Sequence, residues 1–109
     1  INNYQYSPHL VNPLLLISEN YEKLDRNEEA LLYLMRVKKD IISGGKKHIK
    51  ERFFGHALNL FLKLEKHDEI EKLFCELEKC DVSEKFKSDL KLSYFMNKHT
   101  SILNLNIKT

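Results

Sequence analysis

The sequence predicts an all-α fold, built as antiparallel helical hairpins in a degenerate repeat array of about five helices. Three observations lead there. The 109-residue chain holds only three Gly and two Pro while Leu, Lys and Glu are abundant, a composition suited to helix interiors and poor in turn formers. Apolar residues recur at spacings of three and four. Residues 20–34, NYEKLDRNEEALLYL, join two such patterns through a very short polar turn, and the same grammar returns further along.

Residues 1–11 include Tyr4, Tyr6 and Pro8 without a clear period, and are expected to form an N-terminal arm. A first hairpin is expected over residues 12–43. It opens at Asn12 and Pro13, because Asn caps free amides and Pro is tolerated in a first turn. Its first helix runs to about Leu24 with Leu14, Ile17, Tyr21 and Leu24 as the inward stripe, widened by Leu15 and Leu16. Asp25 is the expected N-cap of the second helix, with Glu28 three residues later closing a capping box. That helix carries Ala30, Leu34, Val37 and Ile41 and ends at Ser43-Gly44-Gly45, where Gly is expected in the left-handed conformation.

A second hairpin is expected over residues 46–80. The third helix begins near Lys46 or Lys47 and carries Phe54, Ala57, Phe61 and Leu64, and the fourth carries Ile70, Phe74 and Leu77 and ends near Lys79 or Cys80. These seven positions are Leu14, Ile17, Tyr21, Leu24, Ala30, Leu34 and Val37 advanced by forty residues, and the match then fails where Ile41 falls on Asp81. LEKHDEI lies over LDRNEEA in the same register, with acids entering the second helix of each copy at the positive end of its dipole. Chance alignment of two similar amphipathic hairpins is the competing explanation. A terminal helix over residues 83–98 starts from Asp81 or Ser83 and carries Phe86, Leu90, Tyr94 and Phe95 or Met96; residues 99–109 form a weakly patterned tail that can fray, continue the helix or pair elsewhere.

The whole chain fits one domain, and its start at Ile1 without an initiator Met suggests a fragment of something longer. A formal charge of +2 is too near neutral to argue for nucleic acid or a membrane surface on totals alone. No apolar run approaches the ~20 residues that span a bilayer, and no signal segment opens the chain, so a soluble, cytoplasmic protein without membrane contact is expected. Cys75 and Cys80 lie five residues apart on one helix and turn away from each other, so two buried, reduced thiols are expected.

The stretch around Tyr21 and Ala30 resembles the tetratricopeptide repeat. An aromatic residue late in the first helix and an alanine early in the second match that family's spacing, Ser18 stands at its small-residue position and Ile17 at a preferred apolar one. The second copy departs from the pattern, with Phe61, Ile70 and Leu58 in place of Tyr, Ala and Ser; its forty-residue period exceeds the usual span of about thirty-four, and the Trp and Pro signature residues are missing. The resemblance extends over residues 12–98. More loosely, the chain is similar to the repeat domain of peptide-sensing bacterial transcription regulators of the Rgg, PlcR and NprR group, in which such a domain follows a helix-turn-helix. That likeness implies a short signalling peptide as ligand, with DNA contacted through a domain absent from this chain.

The family's concave binding surface, carried across, falls on first-helix side chains: Arg52, Asn59 and Lys63 in the second copy, and Asn12, Glu19 and Lys23 in the first. An Asn amide can hold a peptide backbone while Arg or Lys meets a carboxylate, although these residues do not reproduce the family's carboxylate clamps. An ordinary solvated face is the plainer alternative. A scaffold or homodimerisation module is a second reading, with Phe86, Leu90 and Tyr94 packing on another subunit. Nucleic-acid binding is a third, through residues 36–52, which hold seven Lys or Arg against two acids; residues 65–84 hold eight acids against three Lys and could pair with them between subunits. Both segments also suit outward helix faces. Without HExxH, a CxxC pair, a Gly-rich phosphate loop or a nucleophile set beside a base, the sequence predicts no enzyme, no metal and no cofactor. His56, next to Gly55 near the helix interface, is expected to pack as a hydrogen-bonded side chain.

Overall fold

The computed structural model describes residues 11–108; the expected arm therefore lies outside the described residues except for Val11. The chain is all-α, with five helices among the described residues: α1 (Val11–Lys23), α2 (Asn27–Gly44), α3 (Lys47–Lys63), α4 (His67–Glu78) and α5 (Glu84–Lys108). Each helix packs on the next through α4, α5 meets both α3 and α4, and α1 also touches α3. The odd-numbered helices thus share one side of the array. On the other side α2 and α4 are linked by an ion pair, Lys38 to Glu76 at 3.0 Å.

The turns within the two hairpins have the same construction. In the first, the Arg26 amide donates to the Tyr21 carbonyl at 2.9 Å and the Asp25 amide to Glu22 at 3.0 Å; in the second, Lys66 donates to Phe61 at 2.9 Å and Glu65 to Leu62 at 3.2 Å. This is the Schellman pattern, in which a left-handed residue after the helix closes its last carbonyls. Asp25 (φ 63°) and Glu65 (φ 56°) hold that position. Asp25 is therefore not the N-cap of α2. Arg26 occupies the cap with no side-chain hydrogen bond, as Lys66 does for α4, so the expected capping box does not form; the backbone bonds of the preceding helix end have claimed Asp25.

The end of α2 also departs from expectation. No glycine among the described residues has positive φ. Gly45 is extended (φ −73°, ψ 154°), and its amide donates to Ile41 at 2.8 Å. A Cβ here would lie 2.6 Å from the Ile41 carbonyl oxygen, so glycine is needed for close approach and not for a left-handed turn. For α5, Ser83 provides the cap: the Phe86 amide donates to its Oγ at 3.1 Å.

The core centres on α3, which buries Phe53, Phe54, Ala57, Leu58, Leu60 and Phe61. Ala30, Leu34, Val37 and Ile41 close over it from α2, and Ile70, Leu73 and Leu77 from α4. On α1 the inward row is rotated by one residue from the expected stripe. Leu15 and Ser18 are buried, whereas Ile17 is 38 % and Leu24 67 % exposed. Four consecutive apolar residues, Leu14 to Ile17, fit either helical phase, so the pattern alone could not choose.

Phe86, Leu90 and Tyr94 turn inward on α5 and pack against the core, with the Tyr94 ring 5.6 Å from Phe74. Among the described side chains of that helix, Leu92, Phe95 and Met96 are apolar and outward, each more than half exposed. The helix extends through the expected tail to Lys108. Cys75 is exposed and Cys80 half-buried, not a buried pair, with burial pushing the Cys80 thiol above its ordinary value. Among the described residues no helix is long and apolar enough to cross a membrane.

Candidate functional site

Two helical rows face each other where α1 crosses α3. Arg52, His56, Asn59 and Lys63 follow at intervals of four, three and four, so they lie on one stripe of α3. Ser18, Glu19, Glu22 and Lys23 supply the opposing side chains from α1. Between them is an open polar cleft of about 400 Å³ lined by Glu19, Glu22, Lys23, Arg52, His56 and Asn59.

Three of its charges are already paired. Arg52 grips Glu19 with both arms of its guanidinium, Nε to Oε2 at 2.8 Å and Nη2 to Oε1. Such a fork is the strongest form of side-chain ion pair. It holds the Glu19 carboxyl below the usual carboxylate range and the Arg52 guanidinium above its own. Glu22 bridges two partners on α3, His56 Nδ1 at 2.9 Å and Lys63 Nζ at 3.0 Å. Lys23 and Asn59 carry the cleft's remaining polar side chains.

Beneath the cleft the contacts continue inward. His56 Nε2 lies 2.8 Å from Ser18 Oγ, and Ser18 Oγ lies 2.5 Å from the Ala30 carbonyl oxygen of α2. One chain of polar contacts therefore spans α3, α1 and α2. Burial holds the His56 imidazole below its ordinary value, opposed by the nearby carboxylates of Glu22 and Glu19.

Serine, histidine and glutamate follow one another here in the order of a hydrolytic triad. Ser18 nevertheless has no exposed surface, and its oxygen is enclosed by the Ala30 carbonyl and the imidazole. A substrate carbonyl has no approach to it. The arrangement joins helices, as expected for His56, and supplies no accessible nucleophile.

Of the six residues expected to bind peptide, Glu19, Lys23, Arg52 and Asn59 line one cleft. Lys63 stands at its edge through Glu22. Asn12 is exposed near the start of α1 and is not among the lining residues. Sequence reasoning missed Ser18 and Glu22 as partners of His56. The spacing 18/22 on one helix and 52/56 on another carried the signal, but only the crossing of α1 over α3 brings them together.

The basic segment 36–52 is partly neutralised within the chain, since Lys38 pairs with Glu76, Lys47 with Asp81 at 3.7 Å and Arg52 with Glu19. Nearby, Tyr21 and Tyr33 stack with centroids 5.4 Å apart, and the Arg26 and Arg36 guanidiniums lie over the Tyr21 and Tyr33 rings at 5.0 and 5.1 Å. A narrower groove of about 280 Å³ runs between α2 and α4 past Met35, Lys38, Leu73 and Glu76. Among the described residues no group of three or more His, Cys, Asp or Glu is placed to hold a metal ion. No family model, curated protein or solved structure matches the chain.

Proposed function

We propose that the chain is a peptide- or protein-binding helical module that receives an extended segment in the cleft between α1 and α3. One observation supports this above the rest: Lys23 and Asn59 stand in an open polar cleft whose other charges are held in place by pairing. A fixed wall limits the side-chain ordering that association must otherwise meet. Asn59 offers a donor and an acceptor to a peptide backbone, and Lys23 offers a cation to a carboxylate. The sharper form of the proposal, a sensory domain of a peptide-responsive bacterial transcription regulator, rests on the sequence resemblance alone.

A set of short synthetic peptides of acidic, neutral and basic character, titrated into isotope-labelled protein, tests the module reading. Amide shifts should concentrate on residues around Lys23, Arg52 and Asn59. Asn59→Ala should weaken binding by about tenfold, the worth of roughly one good hydrogen bond. Shifts confined to other helices would remove the cleft from consideration.

A second reading, self-association through α5, draws on the outward Leu92, Phe95 and Met96. Phe86, Leu90 and Tyr94 contribute to it by packing inward and fixing the helix that presents those three.

A further inference from the structure

The contacts through His56 can be counted in protons. A carbonyl oxygen only accepts, so the 2.5 Å approach of Ser18 Oγ to Ala30 places the hydroxyl proton between them. Ser18 then has no proton for the imidazole, and Nε2 at 2.8 Å must donate to it. On the other side of the ring, Nδ1 lies 2.9 Å from a Glu22 carboxylate that also accepts from Lys63. Nδ1 must donate as well. The full set of contacts therefore belongs to an imidazolium, the only form of histidine with two N–H groups.

A neutral ring is one proton short. It keeps its Nδ1–H on Glu22 only if Nε2 accepts from Ser18, which turns the hydroxyl away from Ala30. The opposite tautomer keeps Ser18 on Ala30 but sets a bare nitrogen lone pair against the Glu22 carboxylate. The groups facing the ring are Glu19 and Glu22 from α1 and Arg52 on its own helix, with Lys63 acting through Glu22 and α2 presenting the Ala30 carbonyl through Ser18.

We propose that Ser18, His56 and Glu22 form a proton-operated latch: the protonated ring ties α1, α2 and α3 together as seen here, and loss of the proton releases Ser18 from Ala30 and slackens α1 against α2. The latch lies beneath the cleft, so its state sets how firmly the α1 wall of the cleft is held to α2. Because burial disfavours the imidazolium, the latch closes on the acid side of the ordinary histidine value. It rests on the heavy-atom geometry and stands whether or not a peptide binds.

Nitrogen NMR of the histidine rings in the full chain tests it, followed from about pH 8 to about pH 4.5 so as to bracket the ordinary value near 6.5. The His56 signals are identified by their absence from His56→Gln. On the acid side both ring nitrogens should be protonated; on the alkaline side the Nδ1–H tautomer should dominate. The backbone amides around Ser18 and Ala30 should move with the same midpoint. Ser18→Ala, checked for helix content by circular dichroism, should shift that midpoint toward acid and abolish the coupled change at Ala30. An Nε2–H tautomer on the alkaline side, or a ring that titrates without disturbing Ser18 and Ala30, overturns the latch. Both readings come from the unmutated chain, so they decide the matter even if the alanine variant fails to fold.

Discussion

Asp25 and Glu65 hold the left-handed turn position that glycine fills most easily. An L side chain there costs roughly 1–2 kcal/mol, partly offset in a glycine replacement by the greater freedom of the unfolded chain. Glu65→Gly should thus raise stability by about 0.5–1 kcal/mol, with a smaller gain for Asp25→Gly because Asp tolerates the conformation better; chemical denaturation of each variant against the parent measures both. His56 gives the opposite kind of prediction. Its folded-state pKa is depressed by burial, so the unfolded chain binds the proton more tightly and stability falls as pH drops below about 6.5. His56→Gln removes that term. The stability difference between parent and variant should therefore shift in favour of the variant between neutral pH and pH 5, and an unchanged difference across that range would contradict the depressed value.

Among the elements, the end of α2 separates two roles of glycine that sequence could not distinguish. A Cβ on Gly44 meets nothing within 4 Å, while one on Gly45 strikes the Ile41 backbone. Gly44→Ala should be neutral or stabilising by up to about 1 kcal/mol, whereas Gly45→Ala should destabilise by roughly 1–3 kcal/mol as the helix end is forced apart; thermal melts of the two variants give the contrast directly. The same region shows what was legible beforehand. Ala30, Leu34, Val37 and Ile41 were readable as the buried row of α2 because Val37 stands between Arg36 and Lys38, and Glu29 and Asp40 precede Ala30 and Ile41, which fixes the helical phase. The phase of α1 was not readable, since Leu14 to Ile17 supply apolar residues to both candidate rows and only the packed fold, in which Ser18 meets both α2 and α3, selects Leu15 and Ser18. The Asp25–Glu28 spacing suggested a cap, but a capping side chain and a left-handed helix terminator can be the same residue type, and the six-residue backbone bond from Arg26 to Tyr21 decides between them. For the cleft, Arg52, Asn59, Glu19 and Lys23 were legible as stripe residues. The pairing that immobilises Arg52 was not, because it depends on the crossing of helices thirty-three residues apart in sequence.

Across the whole molecule, the basic and acidic segments are drawn together inside one chain. Lys38–Glu76 and Lys47–Asp81 span α2 to α4 and the start of α3 to the loop before α5. These pairs are solvent-accessible, and each is worth at most about 1 kcal/mol. They organise the surface more than they hold the fold, and they lower the positive potential that a nucleic-acid backbone would meet. Burial around α3 does the holding, and that burial weakens toward α5, where Leu92, Phe95 and Met96 face outward beyond the last packed row. An array that turns such residues outward can satisfy that face by pairing two copies across a twofold axis, which places identical residues against each other. Light scattering over a dilution series should then show a mass rising toward twice that of the chain at high concentration. Phe95→Lys with Met96→Lys should hold it at one chain throughout, since the substitutions bring four like charges to the twofold contact while leaving the inward Phe86, Leu90 and Tyr94 untouched. A mass of one chain for the parent at every concentration would exclude self-association through α5 and leave that face as exposed surface.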